Sequence, residues 1–379
     1  MGNIKNVEDF VLEKANETIK LVKRITAVPA PSNDEIRRSE FVKTWLEQIG
    51  AKGVEIDEAL NVVYPMNDDG KNDVVIFMAH LDTVFPETTT IKVEEKGDRL
   101  YAPGVGDNSA NLANMLLSIQ YILENGLKPK SELGVVFAAS SGEEGLGNLK
   151  GSVALCKRYA GRIREVIGID GNMGSITDNA VGSHRYKVSV FTEGGHSFGD
   201  FGNRNAIHYL SGMIQTLYMI KVPVKAKTTF NVGIIEGGTS INTIAENASM
   251  LYEFRSSDHE CLSIMEDYFN SVVTAYNKAS NKVEVETLGI RPCKKGVDEE
   301  ALEELRRRTE AITSKYYDGK ISYSAGSTDS NIPLSMGIPS VTLGTKTSGG
   351  THTRGEYLEV KSLIPGQKIA IELALQYFD

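Results

Sequence analysis

Cysteine is scarce in this chain: Cys156, Cys261 and Cys293 are the only three among 379 residues. An odd number at such wide spacing indicates neither a disulfide framework nor a cysteine-built zinc knot. Positive charge is also short, with 41 Lys and Arg against 50 Asp and Glu and a formal net charge of -9. That balance argues against nucleic acid or an anionic membrane as the principal partner. Long uninterrupted apolar segments are missing from the opening "MGNIKNVEDFVLEKANETIKLVKRI", which carries polar residues at helical intervals. It reads as the surface helix of a cytoplasmic protein rather than as a secretory signal or a membrane span. The remaining composition, 41% hydrophobic and 24% charged, is that of a globular protein, in a chain too long for one core of ~150 residues and long enough for two.

Histidine is sparse as well, with six in all, yet His80 stands directly after the apolar run "DVVIFMA" with Asp82 two positions on. Side chains alternate along a strand, so His80 and Asp82 are expected on the same side, where a buried strand emerges. "VVIFMAH", "GVVFAAS" and "IREVIGIDG" read as strands, and "NSANLANMLLSIQYILENG" and "LKGSVALCKRYAG" as the helices between them. This succession predicts an α/β domain with a mainly parallel sheet, helices on both faces, and ligand sites at the carboxyl ends of the strands. From "HRYKVSVFTEGG" to "KVEVETLGI" the pattern changes to the β-α-β-β-α-β order of a smaller α+β sandwich. "IPSVTLG" and "IPGQKIAIELALQYF" then return to the first pattern. The smaller unit, 181–294, is therefore expected as an insertion in a discontinuous domain made of 1–180 and 295–379.

The chemistry-bearing residues gather in the outer domain. Asp107 follows the glycine-rich turn of "APGVGDNSANLAN" and precedes a helix, where a carboxylate often does no more than cap backbone amides. Glu143 and Glu144 follow a strand in "SSGEEG", a place where paired acids are often only a solvated loop. Asp170 ends a strand in "GIDG", and His352 lies in the loop "SGGTHTRGE". Taken together, His80, Asp107, Glu144, Asp170 and His352 form a nitrogen and oxygen donor set suited to Zn2+. Two ions ~3.5–4 Å apart, sharing one carboxylate, would account for the surplus of acids. The alternative is a set of acidic turns and strand-end histidines with no common site.

The segments "HLDTV", "GVGDN", "SSGEEGLG", "GIDG", "GGHS" and "GGTH", in this order over almost the whole chain, resemble the M20 family of di-zinc metallopeptidases and deacylases, most nearly its peptidase T aminopeptidase branch. The resemblance implies a zinc-peptidase-like catalytic domain with two divalent metal ions per chain, bridged by Asp107. His80 and Asp170 complete one site, and Glu144 and His352 the other. Asp82 is then expected to orient the His80 imidazole with its carboxylate, and Glu143 to be the general base for a water held between the ions. The inserted domain becomes a lid and dimerisation domain. His196 would reach the partner's active site in a homodimer to stabilise the oxyanion, while Asn242 and Arg255 contact substrate, Arg255 by gripping a terminal carboxylate. On the residues alone, His196 equally reads as a sheet-end histidine and Arg255 as a surface charge, and Phe198 and Phe201 either wall the substrate or pack the lid. Within the family, aspartate at the position of Asp170 goes with aminopeptidase and dipeptidase activity. The expected activity is therefore zinc-dependent cleavage of di- or tripeptides from the amino end. N-acyl amino acid deacylation and carboxypeptidase action are the enzymatic alternatives, and a metal-stabilised interaction protein the nonenzymatic one.

Overall fold

Short runs rich in β-branched and aromatic residues, each long enough for one strand, build the centre of the larger unit. A computed structural model describes residues 6–88, 90–279 and 282–379. They form two units: the described residues up to Asn179 together with Gly296–Asp379, and Ala180–Lys295. In the first unit the strands Leu133–Ser140, Asp73–His80, Ile163–Ile169 and Ser340–Leu343 lie side by side in that order and run parallel. Antiparallel strands flank them, Val62–Met66 beside Leu133–Ser140 and Ser175–Ala180 beside Ser340–Leu343. The result is an α/β fold with a mainly parallel sheet.

The alternation of side chains along Asp73–His80 divides its residues between two covered faces. Val74, Ile76 and Met78 pack with Leu155 and Tyr159 of the neighbouring helical segment. Phe77 points the other way, stacks on Phe137 at 5.2 Å between centroids, and meets Tyr377 edge-on. Strands buried on both faces lose the polar and apolar alternation of an exposed sheet, which is why they read as nearly continuous apolar runs. The opening helix Val7–Ala27 is only half a surface helix, because Phe10, Val11, Leu21, Val22 and Ile25 on one stripe are buried. Thr18 on that stripe hydrogen-bonds Gln367 of the helix Leu363–Leu375 at 3.1 Å. No helix among the described residues is long and apolar enough to cross a membrane.

The second unit is an antiparallel sheet in the order Thr228–Gly237, Asn247–Ser256, Gly182–Phe191, Lys282–Arg291. Two helices, Ala206–Tyr218 and His259–Ala279, cover one face. Aromatic rings fill the space between, with Phe269 stacked on Tyr186 at 4.5 Å and on Tyr252 at 5.5 Å. Along Asn247–Ser256 buried and half-buried positions alternate, as expected of a sheet with one packed face and one open face.

One close approach in the first unit determines where the late loop begins. Gly366 lies inside the helix Leu363–Leu375, and a Cβ on it would overlap the Thr345 carbonyl. That carbonyl already accepts from Asn114 Nδ2 at 2.9 Å, and Asn114 Nδ2 itself would stand 3.0 Å from the Cβ. Alanine is the better helix former by about 0.8–1 kcal/mol, but overpacking costs roughly 1–3 kcal/mol, and the clash should win. Gly366→Ala is expected to lower the midpoint of urea unfolding. A midpoint raised by the mutation would show that propensity governs and that the Thr345 segment yields freely.

Candidate metal centre

The carboxyl ends of three parallel strands bring the acids and histidines together. His80 is the last residue of Asp73–His80, Asp170 follows Ile163–Ile169, and the turn holding Glu143 and Glu144 follows Leu133–Ser140. Asp107 comes from the irregular helical turn Val105–Ala110, and its peptide bond to Asn108 is cis. His352 comes from the late loop and sits at φ 63, a left-handed conformation rare for a side chain of its size.

Asp107 lies at the centre. Its Oδ1 is 3.0 Å from His80 Nε2, and its Oδ2 is 3.2 Å from His352 Nε2. His80 Nε2 is also 3.8 Å from Asp170 Oδ1, and His352 Nε2 is 2.9 Å from Glu144 Oε1. Each oxygen of one carboxylate thus faces a different histidine, and each histidine has a second acid beside it. Ligands ~2.0–2.2 Å from a tetrahedral ion stand ~3.4 Å from one another, the range of these separations. His80, Asp107 and Glu144 each offer one ligand atom within 4.8 Å of the other two. The donor set and its spacing therefore fit divalent metal.

Without metal, protons must take the place of cations. Burial opposes a charge on His80, but the Asp107 hydrogen bond and the nearby Asp82 and Asp170 carboxylates raise its pKa well above the ordinary value. Asp107 and then Glu144 lift His352 to about 10. Burial would raise Asp107, but the two imidazoles reverse that and hold it far below the usual carboxylate range. Burial pushes Asp170 and Glu144 upward.

The other acids hold backbone. Asp82 was expected to orient His80 with its carboxylate, and the structure places both its backbone carbonyl and its carboxylate beside the ring. The strand ends at His80, so alternation no longer governs Asp82, and His80 Nδ1 meets the Asp82 backbone carbonyl at 3.0 Å, with the carboxylate Oδ1 farther away at 3.6 Å. The carbonyl requires a hydrogen on Nδ1, which leaves Nε2 as the ligand atom. The Asp82 carboxylate also accepts from the backbone amides of Glu143 and Glu144, each at 2.9 Å, and from Ser32 Oγ at 2.7 Å. It fixes the turn that carries both glutamates.

Several contributors were not recognised from the sequence. Glu356, fully buried, accepts from the amides of Gly104, Gly106 and Asp107 at 2.8–2.9 Å and so anchors the turn that presents Asp107. Buried Lys346 bonds Ser348 Oγ at 2.6 Å and Asn172 Oδ1 at 3.1 Å; burial lowers its pKa, while Asp107 and Asp170 favour its charge. Arg38, lowered to about 10 by burial, donates to the Val28 and Leu81 carbonyls and balances the charge of Asp82. One signal was available: Arg38 lies four residues before Val42, on the buried stripe of the helix Ile36–Gln48.

The inserted-unit candidates lie on that unit's own surface. His196 pairs with Thr243 across a short antiparallel ladder, and Ser197 N bonds the Asn242 carbonyl at 3.0 Å, so His196 and Asn242 are neighbours. His196 Nδ1 accepts from the amides of Phe198 and Gly199 at 3.2 and 3.1 Å. The neutral ring then carries its hydrogen on the exposed Nε2. Phe198 and Phe201 are 89% and 90% exposed, so neither packs into the core of this unit. Arg255 stands at the far end of Asn247–Ser256 from Asn242 and forks onto Glu253 at 3.0 and 3.1 Å. The expected free carboxylate grip is thus already engaged.

A mainly parallel α/β sheet with a histidine and carboxylate cluster at its carboxyl edge is the framework of a metal-dependent hydrolase. The profile of Peptidase family M20/M25/M40 matches residues 76–376, and the chain belongs to this family. The uncharacterized protein YqjE of Bacillus subtilis strain 168 is 24% identical over 357 residues, covering 88% of this chain and 92% of its own. The aminopeptidase PepT of Bacillus cereus shares the fold with a TM-score of 0.73 at 21% identity, over 94% of this chain and 97% of its own. The dinuclear metal-binding M20 peptidase YXEP of Bacillus subtilis does so with a TM-score of 0.66 at 14% identity, over 97% and 99%.

Two measurements test this centre. Because His80 and His352 hold protons in the metal-free site, loading with Zn2+ at neutral pH should release about two protons per chain, and apparent affinity should fall as pH falls. Calorimetry in buffers of different ionisation enthalpy reads the release directly; heats independent of buffer would contradict it. Asp82→Ala removes the acceptor of two buried amides and should weaken metal binding ten- to a hundredfold. Chelator competition at parental affinity would show that the turn keeps its shape unaided.

Proposed function

We propose that this protein is a two-metal aminopeptidase that cleaves short, unblocked peptides. The observation that carries the reading is the division of the Asp107 carboxylate between two histidine and acid pairs. In this reading His80 and Asp170 hold one ion, Glu144 and His352 the other, and Asp107 both. When bound, two divalent ions, Zn2+ by their donors, supply polarisation of the scissile carbonyl and acidification of the attacking water.

Glu143 is the base. It takes a proton from the attacking water and passes it to the leaving amine. Its place beside Glu144, on a turn clamped by Asp82 through the amides of both residues, supports this role, because a base must be held as rigidly as the ligands. The exposed Nε2–H of His196 is a donor suited to an oxyanion. Asn247 and Arg255 are separated by roughly 25 Å of strand, and a tripeptide spans only ~10 Å. One short substrate therefore cannot bridge Arg255 and the His196 and Asn242 pair within a single subunit. That supports a homodimer in which the partner supplies the second pair to the site. The edge strand Thr228–Gly237, with Ile234 and Ile235 exposed, supports pairing through this unit. To hold a substrate carboxylate, Arg255 must exchange Glu253 for it. The three cysteines are free and buried, in keeping with a reducing, cytoplasmic setting.

Asp170 and the fold shared with an aminopeptidase support action at the amino end. Zn2+-loaded protein given a library of free peptides, N-acetylated peptides and N-acyl amino acids should release amino-terminal residues from the free di- and tripeptides, as read by mass spectrometry. Acetate released with the free peptides left intact would replace this reading with a deacylase. Glu143→Ala should lower turnover ~10²–10⁴-fold with metal content unchanged; equal turnover in loaded parent and variant would remove Glu143 as the base.

A further inference from the structure

Asp329 is a buried acid outside the cluster. It stands one residue before Ser330, the N-cap of the short helix Asn331–Ser335, and does not cap that helix. Instead its Oδ2 accepts from Ser140 Oγ at 2.5 Å, and Ser140 pairs with His80 across the two parallel strands. Its Oδ1 is buried without a hydrogen-bond partner in the protein, a costly state for a carboxylate oxygen.

Asp329 lines a small pocket together with His80, Glu143, Asp170, Thr328 and Thr342. The pocket leaves about 10 Å³ for the centre of a water-sized molecule, room for one water. A run of hydroxyls ends beside it. Ser340 Oγ donates to Ser330 Oγ at 2.8 Å, Ser330 Oγ lies 2.6 Å from Thr342 Oγ1, and Thr342 Oγ1 lies 3.1 Å from Thr328 Oγ1. Each hydroxyl has one hydrogen. With Ser340 as first donor, Ser330 donates to Thr342 and Thr342 to Thr328, which leaves the Thr328 hydrogen for an acceptor in the pocket.

We propose that this pocket holds one ordered water that accepts from Thr328 Oγ1 and donates to Asp329 Oδ1 and to the Glu143 carboxylate, making Asp329 a positioning residue for the base. Three partners are the usual complement of a buried water. The water satisfies the orphaned oxygen and ties the Glu143 carboxylate to the sheet. The role assigned to Asp329 rests on the reading of Glu143 as base. The water does not.

The test uses the full-length, Zn2+-loaded protein. A crystal structure that resolves single waters should show one within hydrogen-bond distance of Thr328 Oγ1, Asp329 Oδ1 and Glu143. Thr328→Val, of nearly the same shape, removes the donor and should empty or shift that position; Asp329→Asn keeps the Ser140 bond and reverses the polarity offered to the water. Both should lower kcat about ten- to a hundredfold, with KM and metal content unchanged, on whichever substrate the library identifies. A dry pocket in the parent protein, parental kcat in both variants, or loss of metal from either would overturn the proposal. If no library member is cleaved, the aminopeptidase reading fails and the crystallographic result alone decides on the water.

Discussion

One carboxylate shared by two imidazoles is the constraint on which the rest of the catalytic unit depends. Asp107 can serve both only if His80 and His352, from distant parts of the chain, arrive on opposite sides of it. Its own backbone must also be fixed. Glu356 does this by accepting from the turn on which Asp107 stands, and the turn needs Gly104 at φ 73, with a Thr83 methyl where a Cβ would lie. Buried like charges repel and resist desolvation, so such a cluster persists only where cations or protons balance it and rigid neighbours leave it no way to relax. Raised histidine pKa values and the buried Lys346 are the metal-free form of that balance.

The acids of this unit divide into two kinds that their side chains do not distinguish. Asp107, Glu144 and Asp170 approach the Nε2 atoms of the two histidines, while Asp82 and Glu356 each accept from two or more backbone amides, Asp82 also lying 3.6 Å from His80 Nδ1. The second kind makes the first possible. A loop whose amides are claimed by a buried carboxylate has lost the freedom that loops ordinarily keep, and a metal site or a base built on it inherits that rigidity.

The smaller unit follows a different logic. Its sheet buries one face under two helices and leaves side chains on the other face and at the rims half-exposed. His196 and Asn242 are held together by a short ladder at one end of the sheet, and Arg255 by Glu253 at the other. Exposed Phe198, Phe201 and Ile241 surround the first group. A surface that presents polar donors among bare apolar side chains is poorly explained by the stability of the unit alone.

The sequence by itself determined the strands and the order of the elements, because apolar periodicity and burial are local consequences of composition: "VVIFMAH" is buried on both faces and therefore has no alternation to lose. It also displayed the donor set, since His80, Asp107, Glu144, Asp170 and His352 each stand where a strand or a glycine-rich turn ends. It did not determine which atom of a residue does the work. Asp82 was read onto the side of His80 through strand alternation, but the strand stops at His80, and beyond that point Ser32 and the amides of a turn 61 and 62 positions away hold the carboxylate. Glu356 and Asp329 were silent for the same reason, as their partners lie far off in the chain and no local pattern records them, and Lys346 joins distant Asn172 as well as nearby Ser348. Hydrogen bonds of that kind are made only when packing brings the elements together, so tertiary structure alone decided which acids face histidines and which hold the backbone.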